Sequence, residues 1–147
     1  METMIDARAF FAAKLAYEID ASDLAAARAA TTAPIVVDTR SRAAWDQGHL
    51  PGALHIPGGE LAERAAAELP DPTADIVVYC WGPGCNGASK AAFTLSDMGY
   101  RHVRELIGGF EYWAREGLSV ASAQGRTRRV IDDLTAVRVE REVSGVR

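Results

Sequence analysis

Cysteine and histidine are scarce in this chain: two of the first, Cys80 and Cys85, and three of the second. Two cysteines only five positions apart make a poor disulfide framework, so the thiols are expected to be free, reactive or inert, in a reducing compartment. With no clustered spacing among cysteines and histidines, no metal site is expected. Long apolar runs are also missing. None approaches the ~20 residues of a membrane-spanning helix, and the opening Met1-Glu2-Thr3-Met4-Ile5-Asp6 lacks the basic and apolar regions of a secretory signal. A cytoplasmic protein with no membrane partner is the expectation. Nor is there a basic excess: 16 Lys and Arg against 20 Asp and Glu give a net charge of -4, which provides no general attraction to nucleic acid. Without internal repeats or low-complexity tracts, 147 residues read as one domain with a sizeable core.

What is present is an alternation of strand-like and helix-like patterns. Met4, Ala7, Phe11 and Leu15 share one helical face behind a Thr3–Asp6 capping box, predicting an amphipathic first helix that packs on the body. Short strands are expected near residues 17, 36, 54, 78 and 104. Ile35-Val36-Val37 and Ile76-Val77-Val78-Tyr79 are continuously apolar and β-branched, as interior parallel strands are. Helices fall between them: an alanine-rich one capped by Ser22 or Asp23, a turn at Arg42–Trp45, Glu60–Leu69, one begun by Ala88, Ala91 and Leu95 and ended by Gly99, and Phe110–Glu116 after a Gly108-Gly109 turn. The pattern predicts an α/β fold, a five-stranded mainly parallel sheet flanked by helices. The domain is expected to cover 1–118, N-terminal helix included. Residues 119–147, polar and then aperiodic, are expected to be a tail, either a docking segment or partly disordered.

The chemistry converges on one stretch. The second long apolar run delivers Cys80 into Trp81-Gly82-Pro83-Gly84-Cys85-Asn86-Gly87-Ala88, a loop that feeds a helix. In open α/β sheets, ligands bind at that carboxyl edge of the strands. Glycines let backbone amides converge, and a helix N-terminus adds about half a positive charge, so a thiolate, persulfide or oxyanion would be stabilised there. Cys80 is the candidate nucleophile. Cys85 is either a second thiol that takes sulfur from Cys80 or bonds it reversibly, or a spectator. Trp81 is expected to wall the pocket. Asp38 and Arg40, at the end of the first long strand, and His49, in a Gly-His-Leu-Pro-Gly turn, are expected to support the site rather than react; Trp113 is expected to anchor the core.

Three motifs can now be set together: Val37-Asp38-Thr39-Arg40 with Trp45 and Gly48-His49-Leu50-Pro51-Gly52-Ala53; Val78-Tyr79-Cys80 with its glycine loop; and Ile107-Gly108-Gly109-Phe110-Glu111-Tyr112-Trp113. Their order and spacing resemble those of a single-domain rhodanese-like sulfurtransferase from about Tyr17 to Gly117. The resemblance implies a cysteine, here Cys80, that carries sulfane sulfur as a persulfide between a small donor such as thiosulfate and a thiol or protein acceptor. Neither a metal nor an organic cofactor is needed for that chemistry, and a homodimer is left open. The family's usual active loop is shorter and carries an arginine soon after the cysteine. Here Trp81 to Ala88 has no basic residue, and Lys90 is the nearest cation. Weak binding of a dianion follows as an expectation. Two other functions compete: a cysteine-based phosphatase or arsenate reductase, disfavoured by Asn86 and Gly87 where an arginine would close the loop, and a non-catalytic or redox-sensing binding module.

Overall fold

The computed structural model describes residues 4–138. Side-chain oxygens that accept backbone hydrogen bonds start its first helices, although at different positions from those the sequence suggests. Asp6 accepts from the Ala9 amide and opens α1 (Ala7–Tyr17), so the cap lies three residues beyond Thr3, which is outside the described residues. After the short strand β1 (Glu18–Ile19), Asp20 rather than Ser22 or Asp23 caps α2 (Ala21–Ala29). There follow β2 (Ile35–Asp38), α3 (Arg42–Gln47), capped by Ser41, and β3 (Leu54–His55). A single 3-10 turn at Gly58–Glu60 leads into α4 (Leu61–Glu68). The chain continues through β4 (Asp75–Tyr79), α5 (Gly87–Asp97), β5 (His102–Leu106) and α6 (Gly109–Arg115), then β6 (Val120–Ser122) and β7 (Gly125–Thr127).

The first five strands form one parallel sheet in the order β1-β5-β4-β2-β3, matching the expected class. Burial of both faces explains why Ile35–Val37 of β2 and Ile76–Tyr79 of β4 are apolar throughout. Val37, Ile76 and Val78 face one layer, made by α4, its C-cap Leu69 and α5, through Leu61, Ala65, Leu69, Ala91 and Leu95. Val36, Val77 and Tyr79 face the other, made by α2 and α6 through Ala21, Leu24 and Trp113. Truncating any of the fully buried leucines to alanine would cost about 2–5 kcal/mol. The register places Asp38 beside Tyr79, so both central strands end at one edge of the sheet, and Cys80 leaves from there.

One expectation needs correction. Helix α1 forms and lies against β5, yet it buries no residue, and Phe10, Phe11 and Leu15 are exposed. Its apolar stripe is therefore not core packing. In the stretch after residue 118, expected to be a docking segment or partly disordered, β6 and β7 pair as an antiparallel hairpin, and Ala121 exchanges backbone hydrogen bonds of 3.0 and 2.9 Å with His49. Further on, the Asp132 amide donates to the Arg115 carbonyl at 2.8 Å. Residues 139–147 lie outside the described residues.

Candidate active site

The support beneath Cys80 is polar and buried. The Asp38 carboxylate accepts from Arg40 Nε and Nη2 at 3.0 and 2.7 Å, from the Arg40 amide at 2.9 Å, and from the Tyr79 hydroxyl at 2.7 Å. Tyr79 in turn accepts from the Leu50 amide at 3.1 Å. Burial, followed by the charge of Asp38, pushes the Tyr79 phenol far upward, so it remains a hydrogen-bond donor at any physiological pH. Arg40 Nη2 also donates to the Gly48 carbonyl at 2.6 Å. Its remaining nitrogen, Nη1, is buried with no hydrogen-bond partner among the described residues. The guanidinium carbon lies 4.4 Å from the ring centroids of both Trp81 and Phe110, so aromatic faces take the place of that partner. One arginine thereby joins the end of β2 to Trp81, the first residue of the loop after Cys80, and to α6. His49 Nδ1 donates to the Trp45 carbonyl at 3.0 Å, and its ring stacks on Trp45 at 3.4 Å. His55 Nε2 donates to the Arg40 carbonyl at 2.8 Å. Neither histidine lines the clefts at Cys80.

Cys80 is 7% exposed and is joined to Cys85 by a disulfide. This corrects the expectation of free thiols. Five residues of separation normally argue against a bridge, but the loop doubles back: the Cys85 amide donates to the Gly82 carbonyl at 3.0 Å, turning the second cysteine toward the first. Gly87 makes the approach possible, since a Cβ there would lie 2.9 Å from the sulfur of Cys80 and 3.5 Å from that of Cys85. Gly87 and Ala88 belong to α5, so the irregular loop is Trp81–Asn86. Asn86 stands at the N-cap without a side-chain capping bond, leaving the first-turn amides of α5 near the sulfurs uncapped. Gly84 and Pro83 are exposed, and nothing lies within 4 Å of where a Gly84 Cβ would be. Gly82 is crowded instead by Glu111, whose Oε2 would be 2.8 Å from a Cβ.

The Gly108-Gly109 pair does more than turn the chain. Gly109, at φ +57°, lies so close to the loop that a Cβ would be 2.6 Å from the Cys80 carbonyl oxygen. Its contact lets the Phe110 and Glu111 amides donate to the Cys80 and Trp81 carbonyls at 3.0 and 2.7 Å. The N-terminus of α6 is thus spent on fixing the loop, and that of α5 remains for the sulfur. The glycine doublet before an aromatic residue was visible in the sequence, but its role as a clamp requires knowing what it touches.

Two clefts meet at the disulfide. The larger, about 580 Å³, is lined by Trp81, Cys85, Phe110, Glu111, Arg115 and Arg129 among others. The smaller, about 340 Å³, holds Cys80, Cys85, Glu18, Ser89 and Glu105, with the Ser89 hydroxyl donating to Glu105 at 2.8 Å. Lys90, the expected cation, is exposed on α5 and lines neither cleft. Positive charge comes instead from Arg115 and Arg129, distant in sequence from the loop. Arg115 is paired with Asp132 at 2.6 Å and Glu111 at 3.4 Å, which raises its pKa, chiefly through the Asp132 bond. Arg129 is exposed and has no carboxylate in salt-bridge range among the described residues.

The family described as Rhodanese-like domain matches residues 20–116. A sulfurtransferase of Allochromatium vinosum is 35% identical over 108 residues, covering 74% of this chain and 97% of that protein. An HTH-type transcriptional regulator of Mycobacterium tuberculosis is 41% identical over 85 residues, 58% of this chain; the chain spans only 36% of that regulator's length. Among solved structures, a Bacillus halodurans protein superposes with a TM-score of 0.73 at 40% identity, covering 81% of this chain and 86% of that one. The Rhodanese_3 like domain of an Anabaena protein gives 0.55 at 34%, covering 60% of this chain and 98% of that domain.

Proposed function

Because the chain belongs to the rhodanese-like domain family, we propose that it is a sulfurtransferase in which reduced Cys80 takes sulfane sulfur from a donor as a persulfide and passes it to a thiophilic acceptor. The observation that carries this reading is the position of the Cys80 sulfur, against the first turn of α5 and at the wall of a cleft. With the disulfide reduced, uncapped amides and the helix terminus favour the thiolate, and such settings lower a cysteine pKa to about 3.5–7.5. The thiolate attacks the outer sulfur of the donor. A sulfur–sulfur bond forms to Cys80, the donor's own sulfur–sulfur bond breaks, and the remainder departs with the electron pair, as sulfite when the donor is thiosulfate. A thiol, a protein cysteine or cyanide then removes the outer sulfur. Arg129 and Arg115 line the larger cleft beside Cys85, whereas the cleft that Cys80 lines carries Glu18 and Glu105, so a less charged organic sulfane donor is favoured over thiosulfate. A cytoplasmic setting, with thiols available as acceptors, suits this chemistry.

Mass spectrometry of reduced Cys85→Ser protein, in which Cys80 is the only thiol, tests the proposal after treatment with a sulfane donor. Sulfur should be gained at Cys80, and Cys80→Ser should abolish both that gain and sulfur transfer to cyanide while the fold is retained. Full activity in Cys80→Ser would sink the assignment. The disulfide also favours a second reading, a redox-sensing module. A sensor would cycle between thiols and disulfide without retaining or transferring sulfur, which the same measurement separates.

A further inference from the structure

Sulfur on Cys80 has an acceptor already in place. Cys85 reaches the Cys80 sulfur closely enough to bond to it, and Gly87 leaves room for both sulfurs at the start of α5. The contact is asymmetric toward the outside: Cys85 lines both clefts, whereas Cys80 lines only the smaller. We propose that Cys85 resolves the Cys80 persulfide, giving the protein a second activity: release of hydrosulfide from a sulfane donor at the expense of a dithiol. The inference rests on the sulfurtransferase reading above.

The steps balance. The Cys85 thiolate attacks the inner sulfur of the persulfide, Cys80 Sγ; the Sγ–Sγ bond forms, the bond from Cys80 to the sulfane sulfur breaks, and that sulfur leaves with the electron pair as hydrosulfide. The product is the disulfide that the structure contains. A dithiol restores the thiols. Its first thiolate, entering by the larger cleft, attacks Cys85 Sγ and expels Cys80 as the thiolate. That direction is favoured because a lower-pKa thiol leaves faster, and Cys80 is the one stabilised by the helix terminus. The second thiol of the reductant then displaces Cys85 and closes the reductant's own disulfide, its protons passing to Cys85 and to solvent. Over the cycle, thiosulfate and a dithiol become sulfite, hydrosulfide and a disulfide.

The test is a single turnover with no thiol present, so that hydrosulfide cannot come from an external reductant. Reduced protein, freed of small thiols, is mixed with thiosulfate or, in parallel, an aryl thiosulfonate. The expected result is one equivalent of hydrosulfide per chain, with the protein ending two hydrogens lighter and bridged between Cys80 and Cys85. Cys85→Ser should release none and remain one sulfur heavier at Cys80. A wild-type protein that holds the added sulfur without releasing hydrosulfide overturns the inference while leaving sulfur transfer intact. Sulfur mapped to Cys85 overturns it too, because the outer sulfur would then have been attacked. If neither donor yields sulfite or sulfinate and neither protein gains sulfur, both this inference and the sulfurtransferase reading fall.

Discussion

Replacing Arg40 with methionine isolates what holds the active loop against the sheet. Methionine keeps the unbranched stem but removes the fork that binds Asp38 and the planar cation between Trp81 and Phe110. The side chains of Arg40 and Asp38 are 1% and 0% exposed, so the substitution leaves a buried carboxylate without its counter-charge. Breaking such a pair from one side costs about 3–5 kcal/mol. The Tyr79 hydroxyl still donates to Asp38, which favours the lower end of that range, while the lost aromatic contacts of a desolvated guanidinium add up to about 2 kcal/mol. Against a total stability of about 5–15 kcal/mol, a loss of about 4 is large but survivable. Urea unfolding followed by tryptophan fluorescence measures it, with both cysteines reduced throughout so that a two-state fit holds. Adding Asp38→Asn should recover part of the loss, because the stranded charge disappears, and the double variant should be more stable than the sum of the two singles by about 1–3 kcal/mol. A loss under about 1 kcal/mol for Arg40→Met, or strict additivity in the cycle, would refute the account of this arginine as the charged tie between loop and sheet.

Charge and pH give two further expectations. Arg129→Ala should raise the KM for thiosulfate about two- to fivefold, the scale of one exposed charge, and added salt should act in the same direction; Asn86→Arg, by contrast, should lower it about tenfold through a charge-assisted hydrogen bond in the loop. A KM indifferent to all three changes would contradict the placement of charge at the cleft. Asp132 is held below the usual carboxylate value of 3.8, first by the Leu134 amide and then by Arg115. Because the folded value is the lower one, the contribution of Asp132 is complete above about pH 5 and disappears as pH falls through the depressed value. The Leu134 amide proton resonance should titrate with a midpoint below 3.8, and a midpoint at or above it would show that the tether to α6 is not formed.

The central strands were legible because burial on both faces forces a continuous apolar run, and Ile35–Val37 and Ile76–Tyr79 have no other economical explanation. The strand end at Cys80 and the helix after its loop followed from the same periodicity. What escaped was set by contacts between distant residues. Asp20 could be distinguished from Ser22 as a cap only by the helix start, which is a boundary that periodicity places poorly. The stripe on α1 has the spacing of a packed face, yet spacing does not state whether a neighbour exists. The bridge between Cys80 and Cys85 depends on a turn from Cys85 to Gly82, and the cleft's cations come from α6 and from beyond β7, far from the loop that they serve. The hairpin β6–β7 is three residues a side, too short for alternation to register against its polar surroundings.

Strand order carries a consequence for how the sheet is assembled. β1 is made first, yet among the described residues its only neighbour is β5, with Glu18 opposite Glu105 and Ile19 opposite Leu106. On a growing chain β1 therefore has no partner until nearly the whole domain has emerged, and α1, with Phe10, Phe11 and Leu15 uncovered, waits beside it. Meanwhile β3, β2 and β4 can pair, leaving β4 as the temporary edge of the sheet. An edge that is apolar on both faces is a template for pairing with another chain. Synthesis of His102–Leu106 is the event that closes this window, since β5 covers the free side of β4 and receives β1 on its own. A ribosome that stalls before His102 thus leaves the segment Ile76–Tyr79 open to aggregation, a hazard of long-range parallel pairing rather than of the finished protein.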